Sequence, residues 1–207
     1  MILEAIVTTI NEDGSPNVSP MGPTIHGEIE TFELRPFNTS RTFANLKRTK
    51  MGVLHITDDV ELFARSAIGQ LDPLPAIQAA EKIDGNVISD ACRWFEFMVE
   101  FIDETGSRMN LNCRTVHSHR NRDFWGFNRA KHAVLEAAIL ATRLEFLPAD
   151  EIRNQFQRLE GIVDKTGGPQ EFTSFRLLGD FVGHKFMGQR FIDLEMVDQP
   201  AGKPSSA

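Results

Sequence analysis

A chain of 207 residues with 41% hydrophobic content can bury a sizeable core, and a net charge of −7 with a pI near 5.4 excludes a general nucleic-acid binder, whose affinity comes from cations that neutralise phosphates. No run is long enough to cross a bilayer, and Met1 leads directly into Ile2-Leu3-Glu4 with neither a basic start nor a small-residue cleavage site, so a cytoplasmic protein without membrane contact is expected. Cys92 and Cys113, the only cysteines, read as reduced thiols rather than a disulfide framework.

The predicted elements begin with two strand-like runs, Leu3 to Ile10 and Asn17 to Ile25, separated by the turn signal Asp13-Gly14-Ser15-Pro16. Glu4 is expected to face outward near the first strand's start. A further strand is expected over Ile29–Leu34, with Phe32 and Leu34 inward and Arg35 aimed at the outside or a rim. Next comes a helix beginning near Arg41, capped by Thr39 or Ser40. The unpaired amides of its first turn, with Arg41, Thr42 and Arg35 beside them, form an anion pocket sized for phosphate. The same residues also read as an ordinary capped surface helix.

Met51–Thr57 reads as a short apolar strand whose His55 is a hydrogen-bonded structural residue. Phe63–Ile68 fits a short helix ended by Gly69, Leu71–Pro75 a loop, and Ile77–Lys82 a brief helical stretch. Period-two alternation marks a strand from Trp94 to Phe101, and the turn Asp103–Gly106 returns it into Met109–Val116. If that extended run persists, Cys113, Thr115, His117 and His119 share one face. Otherwise the histidines lie in a frayed loop. No second ligand cluster completes the tetrahedron that zinc prefers, so no metal site is expected.

From Phe127 the period becomes helical. Asn128 caps a helix on which Arg129, Glu136 and Arg143 form a polar stripe, and Leu147-Pro148 separates it from a second helix carrying Ile152, Phe156, Leu159 and Ile162. Gly167-Gly168-Pro169 stops the second helix. Phe172, Phe175 and Leu178 fit a third, Arg190–Met196 alternates like a strand returning to the barrel, and residues 198–207 read as a disordered tail. Arg129 and His132, at the start of the first of these helices, are candidate substrate contacts.

The hairpin carrying Pro16-Asn17-Val18-Ser19-Pro20-Met21-Gly22, followed by Ser40-Arg41-Thr42-x-x-Asn45, resembles the FMN-binding split-barrel superfamily of flavin reductases, and within it a family that joins such a barrel to a small helical C-terminal region. The resemblance implies a mixed fold: a flavin-binding split β-barrel over residues 1–125, a helical subdomain over 126–197, and a tail over 198–207. It also implies FMN as cofactor, with Ser19, Pro20, Met21 and Gly22 along the flavin ring and Ser40, Arg41, Thr42 and Asn45 about its phosphate, beside the Arg35 of the anion pocket. A flavin-dependent oxidoreductase that works as a homodimer with a small-molecule redox partner is the activity implied. The alternative is a noncatalytic flavin or phospho-ligand module. No Ser-His-Asp or paired-carboxylate constellation points to another catalytic class.

Overall fold

The computed structural model describes residues 1–106 and 108–186. The predicted N-terminal hairpin is β1 (Ala5–Ile10) paired antiparallel with β2 (Pro16–Met21), Ala5 opposite Met21 and Ile10 opposite Pro16. Its turn forms because Gly14 adopts φ +82° and Asp13 Oδ1 accepts hydrogen bonds from the Ser15 amide and hydroxyl. The strand expected over Asn17–Ile25 breaks at Gly22-Pro23, where proline has no N–H for a ladder, and resumes as β3 (Thr24–Ile25). Residues 1–3 follow it: the Met1 ammonium donates to Ile25 O at 2.8 Å, and the Leu3 amide to Pro23 O at 3.1 Å.

The chain continues through β4 (Thr31–Leu34), α1 (Arg41–Thr49), β5 (Met51–Ile56) and α2 (Val60–Ala67). Residues 77–82 are not helical. Ile77–Ala79 is a strand, β6, paired with β7 (Asn86–Ile88), and the amides of Glu81 and Lys82 in the connecting loop donate to the buried carboxylate of Glu96 at 2.8 and 2.7 Å. Those non-local bonds outweigh any local helical preference. Two eleven-residue strands follow, β8 (Arg93–Asp103) and β9 (Asn110–Arg120), then α3 (Arg129–Ala141), α4 (Ala149–Thr166) and α5 (Pro169–Lys185). The Asn128 side chain accepts from the Lys131 amide at 3.0 Å, as the capping signal predicts. The expected strand at 190–196 and the tail at 198–207 lie outside the described residues.

Seven strands form one sheet in the order β2-β1-β5-β8-β9-β4-β3, which curls until the N-terminal segment meets β3. Phe32, Leu34, Leu54, Phe95, Phe97 and Leu111 fill the interior, and Phe43 and Leu46 of α1 plug one end. The plug depends on Gly52: a Cβ there would stand 2.7 Å from Phe97 Cζ and 3.2 Å from Leu46. A second core joins Val60 and Ala64 of α2 to Val134, Phe156, Phe175 and Leu178 of the C-terminal helices. Thus α2 lies between barrel and helices, with Leu62 and Phe63 against Ile6 on the barrel's outer face.

β9 runs past Val116, so His117 and His119 belong to the strand and not to a frayed loop. A bulge between Glu96 and Phe97 makes Val116 the extra residue, which reverses the face beyond it. Cys113 therefore packs in the barrel core while His117 pairs with Glu96 and His119 stacks on Trp94 at 4.5 Å outside.

His55, fully buried on β5, accepts from the Ile88 amide through Nε2 at 3.0 Å and donates from Nδ1 to Ile6 O at 3.2 Å. This fixes the neutral tautomer. Burial pushes its pKa down to about 4, against the opposing effect of Ile6 O. As pH falls from 6.5 toward 4 the unfolded chain takes up a proton that the fold refuses, so stability present above 6.5 is lost across that window. Urea unfolding at pH 7.5 and 5.5 should show a loss of about 1.4 kcal/mol attributable to His55. His55→Gln should be less stable at pH 7.5 and lack that part of the slope.

Candidate functional site

The barrel is closed at one level and open at another. β3 has β4 on one side and residues 1–3 on the other, but β2, the same strand continued backward, pairs only with β1. The β3–β4 ladder ends at Thr24 opposite Glu33, and extending its register puts Gly22 opposite Arg35, where the two strands part. Ser19, Pro20, Met21 and Gly22 belong to the β2 side of this parting, and Arg35 and the start of α1 follow β4 on the other. The four β2-side residues lie near the surface, Ser19 to Met21 half-buried and Gly22 exposed. Pro16 and Pro20 cannot donate, so the β1 ladder runs through Asn17, Ser19 and Met21, and alternation aims the Val18 amide at the free edge.

Ser40 rather than Thr39 caps α1. Its Oγ accepts from the Phe43 amide at 3.1 Å and donates to Phe37 O at 2.8 Å. The hydroxyl proton is thereby committed, while helix geometry leaves the amides of Arg41 and Thr42 without intrahelical acceptors. Thr42 is buried, and its Oγ1 accepts from Asn17 Nδ2 at 3.1 Å, a contact that docks the helix start on β2. Asn45 gives both amide hydrogens away, to Thr9 Oγ1 at 3.0 Å and Asn11 Oδ1 at 2.9 Å. It holds α1 to β1 and has no donor left for a ligand. Arg41 is exposed; hydrogen bonds from the Ser15 hydroxyl and amide hold the Asp13 carboxyl below the usual range, with Arg41 a minor contributor. From Asn17, beside Thr42, to Gly22, opposite Arg35, is about 17 Å of extended strand.

Two residues at this rim escaped the sequence reading. The Arg108 guanidinium stands over the Phe37 ring, 4.1 Å from its centroid, and donates to Arg35 O at 3.4 Å. Among the described residues, no carboxylate forms an ion pair with Arg35, Arg41 or Arg108. Nothing local to Arg108 signals this, because the bridge to Phe37 joins residues 71 positions apart in sequence. Asn17 is the second, and the local signal that points to it is period-two alternation, which puts it on the face of Ser19 and Met21.

Arg129 and His132 are exposed at the start of α3, His132 against the Phe127 ring at 5.9 Å. No described contact brings them to β2 or α1. Beside them a polar network joins barrel to helices. Asp58 accepts from Arg122 at 2.7 Å and the Trp125 amide at 3.0 Å, while Lys131 reaches Asp58 O at 2.9 Å and Glu171 at 2.8 Å. Burial opposes ionisation of Asp58, but Arg122 and the Trp125 amide outweigh it and bring its pKa down to about 2.

A curled seven-stranded sheet, cleft along one edge strand and backed by helices, is the split barrel of the flavin reductases. The chain belongs to the DUF447 family: its residues 3–122 match the model described as "Protein of unknown function (DUF447) N-terminal domain", and residues 128–180 that described as "Protein of unknown function (DUF447)". Among solved structures it is similar to the FMN-bound DUF447 protein MM1853 from Methanosarcina mazei, with 25% identity and a TM-score of 0.77 over 87% of this chain and 94% of that one. It is also similar in fold to 2-nitrobenzoate 2-nitroreductase NbaA from Pseudomonas fluorescens, at 20% identity and a TM-score of 0.50 over 57% of this chain and 64% of that one.

Asn45→Ala should destabilise the chain by about 1–3 kcal/mol in urea unfolding, because it removes the hydrogen bonds to Thr9 Oγ1 and Asn11 Oδ1 that tie α1 to β1, leaving Thr9 with Asn17 alone. An unchanged midpoint would show that the Asn45 hydrogen bonds add nothing to the hold of α1's apolar face and its Asn17 and Arg48 contacts.

Proposed function

We propose that this protein binds FMN in the cleft between β2 and the start of α1, and that it is a flavin-dependent oxidoreductase. The observation that carries the reading is the Asn17–Thr42 contact. It brings the predicted phosphate end against the strand predicted to flank the ring, in a fold similar over 87% of the chain to an FMN-bound relative. The residues suit the cofactor. Two free helix amides, the Thr42 hydroxyl proton and the Arg41 and Arg35 guanidiniums favour a dianionic phosphate. The half-exposed backbone of Ser19–Gly22 gives a flat, polar-edged surface for a ring, and about 17 Å of strand accommodates an extended chain between the two. Once bound, the flavin would supply hydride or electron transfer, while the protein's residues hold and orient it. Ser40 and Asn45 act as positioning residues, whereas Arg129 and His132, which no described contact brings to β2 or α1, take no part in this reading.

We further propose a homodimer. Phe124, Trp125 and Phe127 are 45, 89 and 94% exposed, and together show roughly 450 Å² of ring surface. That is about half of what one partner buries in a standard interface, near 800 Å².

Two measurements follow. Protein purified, mixed with FMN and freed of excess ligand should retain the flavin absorption bands, and Arg41→Ala should weaken FMN tenfold or more while changing riboflavin affinity little. Equal FMN affinity in the variant would remove Arg41 from the site, and absence of flavin binding would end the reading. In sedimentation, the double variant Trp125→Ala, Phe127→Ala should shift the protein toward the monomer. A dimer of unchanged strength would move the interface elsewhere.

A further inference from the structure

The barrel end opposite the α1 plug is open, and its mouth is a groove of about 780 Å³. One wall is the loop before β4. Thr115 fixes that loop, its amide donating to Glu30 O at 2.8 Å and its hydroxyl to Ile29 O at 2.7 Å. The other wall is the start of β8. There the Arg93 guanidinium lies over the Phe95 ring, 4.5 Å from its centroid, with a guanidinium nitrogen 3.5 Å from Ser118 Oγ.

Charge is distributed unevenly about this groove. Arg114 is paired with Glu100, and His117 faces Glu81 at 3.4 Å on the barrel's outer surface. Arg93 has no carboxylate partner among the described residues, although its side chain is exposed and preset by the ring beneath it. Glu28 and Glu30 stand exposed on the facing wall. The bulge at Val116 lies on β9 between these two walls and puts Ser118 on the same face as Thr115. A preset cation over an aromatic floor, a hydroxyl beside it and two acceptors across the gap form a recognisable recognition pattern.

We propose that this groove binds a flat carboxylic acid: its carboxylate pairs with Arg93 and accepts from Ser118, and a hydroxyl or amino group at its far end donates to Glu28 or Glu30. The register rows Arg93–Ile56, His55–Ile6 and Ala5–Met21 put Arg93 level with the end of β2, three strands around the barrel, or about 14 Å. The binding rests on this groove alone and not on the FMN reading.

The test uses the full chain, with and without FMN, titrated calorimetrically with benzoate, salicylate, 4-hydroxybenzoate and 4-aminobenzoate. At least one donor-bearing acid should bind more tightly than benzoate, tenfold or more weaker in Arg93→Ala and at least threefold weaker in Ser118→Ala, with FMN retention and melting temperature unchanged in both variants. No binding by any of the four, equal affinity in Arg93→Ala, or loss of FMN from that variant would overturn the proposal. Arg93-dependent binding in a protein that holds no flavin would sustain it while removing the FMN reading.

Discussion

The fold turns on how one strand changes neighbours. From Pro16 to Ile25 the chain keeps residues 1–10 on one side throughout, but on its other side it has β4 only after Gly22-Pro23. A uniform partner would seal the barrel, and no partner would leave an open sheet. The change at Gly22-Pro23 yields a barrel sealed near one end of the strand and cleft along the rest. The start of α1 is drawn into that cleft by Asn17 and Thr42, while Phe43 and Leu46 on its other face stop the barrel's end. One nine-residue helix thus serves the core and the cleft, and Gly52 is the clearance that lets it do both.

The helical layer is fixed to this barrel by charge as well as by apolar packing. Asp58 lies just beyond β5 and gathers Arg122, Trp125 and Lys131, and Lys131 passes the connection to Glu171 at the start of α5. Glu171 in turn accepts from the Gly168 amide at 2.8 Å. Each charge has a partner and a further hydrogen bond, the condition under which a partly buried ion pair can hold a junction without a large desolvation penalty. The same network sets the path of the segment from Arg122 to Asn128, which carries the exposed aromatic rings.

Local signals carried much of this architecture. Asp13-Gly14, the alternation on β8 and the Asn128 cap act through neighbours in sequence, and each forms the element it predicts. Where the reading failed, the deciding partner was distant. Ile77–Ala79 is a strand because of β7 and Glu96, and His117 is separated from Cys113 by a bulge defined only against β8. The candidate site divides the same way. Ser40 was visible as a cap, but that Asn45 gives both its amide hydrogens to Thr9 and Asn11, and that Arg108 shares a rim with Arg35, depends on contacts across 34 to 73 positions.

A cleft along a strand edge leaves backbone groups facing outward, and such an edge ordinarily invites another chain to add itself as the next strand. Here the two prolines of β2 take away alternate donors, so an intruding strand would find the amide of Val18 and none at positions 16 and 20. A ladder cannot propagate on one donor. The protein can therefore keep one side of its barrel open to a small molecule without offering a template for strand-by-strand aggregation.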